Sequence, residues 1–154
     1  MEKETDWLAV YQASLYACKI GQDWLRFSLD REGDFPDLDY SLSLISAWNP
    51  MSEDKPLPWN RAANAHLLRQ LVSEEIPWGP AWGSSLPGVQ PSWKEHGFVL
   101  FGLTPTEAAS IGRQWGQRAL VFLDQSQANL LLCAENRLHP CGFRPLRRSG
   151  LGLF

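Results

Sequence analysis

IPWGPAWGSSLPGVQPSW, residues 76–93, decides the topology of this chain. It sets Trp78, Trp82 and Trp93 among four prolines and three glycines, residue types that punctuate secondary structure rather than extend it. Read as a connection, it links the helix before it to the apolar run GFVLFGL at 97–103, and the strands on either side of that helix then run parallel. The connection is longer than most. Because indole rings are costly to leave in water, it is expected to pack by its own side chains, the indoles filling core first of all, with a cover over the sheet edge or a flank of a site as the alternative.

Outward from there, the helix spans about Trp59 to Glu75, with Asn60, Asn64, Leu67 and Leu71 at offsets of four, three and four on one inward stripe. YSLSLISAW, residues 40–48, alternates as a strand, and Asn49-Pro50 ends it. On the other side, Thr104-Pro105-Thr106-Glu107 reads as a capping box that starts a helix carrying Ala108, Ile111 and Trp115 on one face and ending near Gly116. RALVFLD and ANLLLC follow as an antiparallel pair. Upstream, DWLAVYQA at 6–13 is a short helix with Trp7, Val10 and Tyr11 at helical spacing, and LYACKI and WLRFSLD form a hairpin over about Leu15 to Asp30. The expected fold is therefore α/β (mixed α+β): a single mixed sheet of five or six strands with two or three packed helices, an N-terminal hairpin and two βαβ-like units over 41–102 and 98–123. Residues 6–133 form one globular domain in this reading, and 134–154 an Arg/Pro/Gly-rich tail.

Composition narrows the function classes. At 154 residues with 44% hydrophobic and 20% charged side chains, the chain can bury a core without staples. A net charge of −3 gives no general attraction to nucleic acid or anionic lipid, and no apolar run approaches a membrane span or a secretion signal. A cytoplasmic location is expected. Cys18, Cys133 and Cys141 lack a repeated spacing and read as reduced thiols; Cys133, His139 and Cys141 would supply three soft ligands, one short of a structural zinc set, so no metal or cofactor is expected. Phosphate-binding loops, dinucleotide fingerprints and nucleophile elbows are absent. Nine acids against four bases over residues 2–39 contrast with Arg137, Arg144, Arg147 and Arg148, a pattern of solvated faces or of a docking surface.

The parallel topology gathers a polar group. Ligands in such sheets bind beyond the carboxyl ends of strands, where Asn49, Asn60, Asn64 and Thr104 are expected to meet. Uncharged amides suit a polar, neutral or anionic ligand, and equally suit tying off the loop backbone above the helix. Trp93 offers a flat wall and Glu95 a lone acid, with His96 beside it as an acid-base candidate.

AWNP at 47–50, N-x-x-x-N-x-x-L from Asn60 to Leu67, W-x-E at 93–95 and W-G-Q-x-A at 115–119 occur together in an order that resembles a bacterial family, domain of unknown function 3293. The resemblance covers about residues 6–133, departs at REGDFPDLD and in the basic tail, and brings no activity with it. It implies a bacterial, soluble protein and singles out Gln117 as well. By the parallel topology Gln117 lies on the opposite edge from the asparagines, so its joining them would mean that the strand directions are wrong.

Three functions fit. A non-catalytic small polar ligand-binding or regulatory module would use Asn49, Asn60, Asn64, Trp93, Glu95 and Gln117. A protein-interaction module would use Trp78 and Trp82 or the basic residues Arg144, Arg147 and Arg148 as anchors. A hydrolase or transferase would use Glu95 as general base, and lacks a convincing nucleophile.

Overall fold

The computed structural model describes residues 4–90 and 92–146. Within them lie helices α1 (Glu4–Gln12), α2 (Leu57–Ser73) and α3 (Pro105–Gln114). The strands are β1 (Ser14–Ile20), β2 (Asp23–Ser28), β3 (Leu42–Ile45), β4 (Trp78–Ser85), β5 (Lys94–Phe101), β6 (Ala119–Leu123), β7 (Ala128–Leu132), β8 (Arg137–Cys141) and β9 (Arg144–Pro145). All nine join one sheet in the order β8-β7-β6-β3-β5-β4-β1-β2-β9, and every neighbouring pair is antiparallel.

This corrects the expected mixed sheet of five or six strands with two βαβ-like units. The Trp-rich segment decides it: residues 78–85 are not connection but strand β4, paired with β5 from Trp78↔Leu100 to Ser84↔Lys94 and with β1 from Ser14↔Ser85 to Cys18↔Ala81. Pro80 is tolerated because it lies beyond the β1 register, on the stretch of β4 that only β5 pairs. One extra strand after α2 reverses β5, so β3 and β5 are antiparallel neighbours, Ile45 facing Phe98. Both helices still cross between strands of like direction, but each passes over an intervening one. The block β3-α2-β4-β5-α3-β6, with strands ordered β6-β3-β5-β4, has the connectivity of a ferredoxin-like split βαβ arrangement. The expected tail is also partly sheet: β8 extends the β7 edge and β9 closes on β2.

The sheet curls into a half-barrel with a core on each face. One core holds the inward faces of α2 and α3, where Leu67, Leu71, Ala108 and Ile111 meet Leu100, Leu120, Phe122 and Leu131. The other covers the opposite face with Tyr16, Cys18, Phe27, Val99, Val121 and Leu130, joined by Leu8 and Tyr11 of α1 and by Phe35 and Phe143. In α1, Leu8 and Tyr11 turn inward while Val10 is 56% exposed, so the inward stripe is not the one read from Val10. Elsewhere local signals hold. Thr104 and Glu107 form both bonds of the capping box, Asn60, Asn64, Leu67 and Leu71 are the buried stripe of α2, and β6 and β7 pair as an antiparallel hairpin. No helix among the described residues is long and apolar enough to cross a membrane.

Candidate functional site

Reversal of β5 changes which strand ends meet. The carboxyl end of β3, with Ala47 to Pro50, lies beside the amino ends of β5 and β6, with Glu95, His96 and Gln117. Thr104, expected beside Asn49, is instead at the other end of the sheet, where Gly102 N–H donates to the Ser41 carbonyl at 2.9 Å and the Ser41 hydroxyl to the Leu103 carbonyl at 2.6 Å. Gln117 lies at the same end of the sheet as the asparagines, bonded to the residues just before Asn49 and to none of the asparagines themselves. Its Nε2 donates to the Trp48 and Trp115 carbonyls at 3.3 Å each, and its Oε1 accepts from the Ser46 hydroxyl at 3.4 Å.

The asparagines are largely spent on the backbone. Asn64 Oδ1 accepts from Ala47 N–H at 2.8 Å while its Nδ2 donates to the His96 carbonyl at 2.9 Å, so one side chain pins the ends of β3 and β5 to α2. Asn60, 2% exposed, accepts from Asn49 N–H at 2.9 Å and donates to Asn49 Oδ1 at 2.9 Å and to the Lys55 carbonyl at 3.3 Å. Asn49 Oδ1 also accepts from Lys55 N–H at 2.9 Å. Asn49 (φ 43°), Met51 (φ 54°) and Ser52 (φ 62°) all hold left-handed backbone, a strained loop that persists because its surroundings over-determine it. Part of that surrounding is Gly116, at φ 71°, where an added Cβ would stand 2.6 Å from Pro50 Cβ.

What this scaffold presents is Glu95. Asn49, oriented through Asn60, hydrogen-bonds the Glu95 carboxyl. Burial and, less strongly, the negative charge of Asp54 push that carboxyl up to about 7, against the pull of the Asn49 bond. No Lys or Arg among the described residues forms an ion pair with it. The cross-strand row Tyr16↔Gly83↔Glu95 puts all three on the sheet face away from α2 and α3, and Trp93, two residues before Glu95, shares it. A Cβ added at Gly83 would lie 3.5 Å from Tyr16 Cδ1 and 3.8 Å from Trp93 Cζ3. These are ordinary contacts, so the missing side chain leaves a methyl-sized notch between the two rings, at the position cross-strand from Glu95. Gly83, Trp93 and Glu95 are each half-buried. Tyr16 donates its hydroxyl to the Tyr11 carbonyl at 2.6 Å; burial raises both phenols, and the Glu95 charge adds to it.

The sequence of motifs now has a structural reason, and it matches a family: the one described as "Protein of unknown function (DUF3293)" covers residues 45–120. The chain belongs to it. No curated protein and no solved structure matches. The DUF3293 span is narrower than 6–133, and contains Asn49, Asn60, Asn64, Trp93, Glu95 and Gln117. In this DUF3293 chain the Pro50 of AWNP rests on the Gly116 of W-G-Q-x-A, and the paired asparagines hold the loop from which Asn49 reaches the Glu of W-x-E.

The remaining residues singled out by sequence are placed elsewhere. Trp78 is 39% exposed with its ring edge-on to Phe98, and Trp82 lies 4.6 Å beneath the Lys94 ammonium. Arg144 is engaged, bonding Asp30 at 3.0 and 3.1 Å and Ser28 at 3.1 Å. Arg147 and Arg148 lie outside the described residues. Cys18, Cys133 and Cys141 are buried free thiols, and among the described residues no cluster of His, Cys, Asp and Glu could hold a metal ion. Sequence reasoning missed Gly83 and Tyr16, whose relevance depends on a cross-strand register that only the identification of β4 supplies.

Proposed function

We propose that this chain is a small-molecule binding module whose ligand carries an alkylammonium group, received by the Glu95 carboxylate between the rings of Tyr16 and Trp93. The observation that supports it is a partly buried carboxyl that no Lys or Arg among the described residues pairs with, on the sheet face it shares with the Tyr16 and Trp93 rings. Ring faces attract a cation, and a cation relieves the desolvation of a carboxylate. The asparagines are positioning residues in this reading: Asn60 sets Asn49, and Asn49 sets Glu95. A ligand-binding role also accounts for retaining an acid that burial disfavours, since groups that lower stability concentrate where function needs them.

Choline chloride tests it, with tryptophan fluorescence as readout and its neutral carbon-for-nitrogen analogue as control. Gly83→Ala fills the notch without a clash, and Glu95→Gln removes the charge. Saturable quenching by choline, weakened about tenfold or more by either substitution, is the expected result. Equal binding of the neutral analogue, or undiminished choline binding in Gly83→Ala, would overturn the proposal.

A further inference from the structure

The other face of β5 carries a different chemistry. Alternation along the strand turns Lys94 and His96 away from the Glu95 side and toward α2. There, with Trp48, Leu57, Arg61 and Asn64, they line a cleft of about 400 Å³, a size in the range of small-molecule sites. Its lining includes two permanent cations and no carboxylate. Arg61 has no hydrogen-bond or ion-pair partner among the described residues, and neither does the Trp48 indole N–H. Asn64 uses one amide hydrogen on the His96 carbonyl, leaving its second free. Lys94 is held in place by its ammonium lying over the Trp82 ring. The cations converge on the imidazole: burial lowers the His96 pKa, and the charges of Lys94 and Arg61 lower it further. Apolar surface is present too, since Leu57 is 46% exposed at the first turn of α2 and the His96 ring meets Trp48 edge-on at 5.9 Å.

We propose that this cleft is a second binding site, for an organic anion whose carboxylate or phosphate lies between Arg61 and Lys94 and whose apolar part rests on Leu57 and Trp48. Two cationic side chains with free N–H donors and no carboxylate among them select an anion. The apolar wall selects an organic one over an inorganic ion. The two sites lie on opposite faces of one strand, so this inference stands independently of the alkylammonium reading.

The test follows the His96 imidazole resonances by NMR at fixed pH in the full chain, titrating phenyl phosphate and benzoate, with benzyl alcohol and matched sodium chloride as controls. Either aromatic anion is expected to shift His96 saturably, and the one that binds more tightly identifies the anionic group. The double variant Arg61→Ala/Lys94→Ala should weaken binding about tenfold or more, while Gly83→Ala should leave it unchanged. The proposal is overturned if sodium chloride reproduces the shifts, if benzyl alcohol binds as well as the anions, or if the double variant binds like the parent.

Discussion

Replacing Glu95 by Gln keeps an oxygen for Asn49 to bond and removes the charge. In the folded chain the carboxyl is pushed up to about 7 from its ordinary 4.5. At 1.36 kcal/mol per unit, the difference amounts to a penalty of about 3 kcal/mol on the folded state once Glu95 is ionised. The sign follows from which state gives up its proton first. Below the ordinary value both folded and unfolded chains are protonated and nothing is lost; between the two values the unfolded chain ionises first, so stability falls as pH rises. Above the folded value the loss is complete. Glu95→Gln should therefore be the more stable protein at about pH 8 by up to roughly 3 kcal/mol relative to its difference from the parent at about pH 4. Urea unfolding of both proteins across that range measures it. A parent-minus-variant difference that stays flat with pH, or a variant that loses ground as pH rises, would mean that folding does not hold the Glu95 proton.

Asn64→Leu should cost about 2–4 kcal/mol, because it leaves the Ala47 N–H and the His96 carbonyl without their shared partner; a drop in thermal stability worth less than about 1 kcal/mol would show that the bridge contributes little. At Gly112 an added Cβ would stand 2.5 Å from Cys133 Sγ, so Gly112→Ala should destabilise by about 1–3 kcal/mol. Gly83→Ala meets only ordinary contacts and should stay within about 0.5 kcal/mol of the parent by the same denaturant assay. Thr104→Ala removes the side-chain half of the capping box, and circular-dichroism melting should register a loss of about 1 kcal/mol.

Local physics was legible and global direction was not. The capping box at Thr104, the hairpin around Gly21 and the Asn-Asn-Leu-Leu stripe of α2 each depend on neighbours within a few residues, and each is found as read. β4 was hidden because Gly79, Pro80 and Gly83 remove the branched and aromatic side chains that mark a strand. One unseen strand reverses everything after it, which is why the sequence alone puts Thr104 beside the carboxyl end of β3 and Gln117 on the opposite edge. β8 was hidden for a similar reason: an edge strand with Pro140 and mostly outward side chains resembles a tail. Helical spacing showed that Asn60 and Asn64 face inward. It could not show that they bond the backbone ends of β3 and β5, because those ends are brought together only by the antiparallel register. Glu95 is visible in the sequence as a lone acid in W-x-E; its raised pKa comes from burial on the sheet face it shares with Tyr16 and Trp93, a property of the folded sheet.

The most direct measurement is a carbon-detected NMR titration of the Glu95 side-chain carboxyl, with and without saturating choline. An isolated, desolvated carboxyl that receives an alkylammonium group should titrate near the raised value of about 7 and fall by about one unit or more when choline is bound. A carboxyl that titrates in the ordinary range, or one whose midpoint choline leaves in place, would contradict the account.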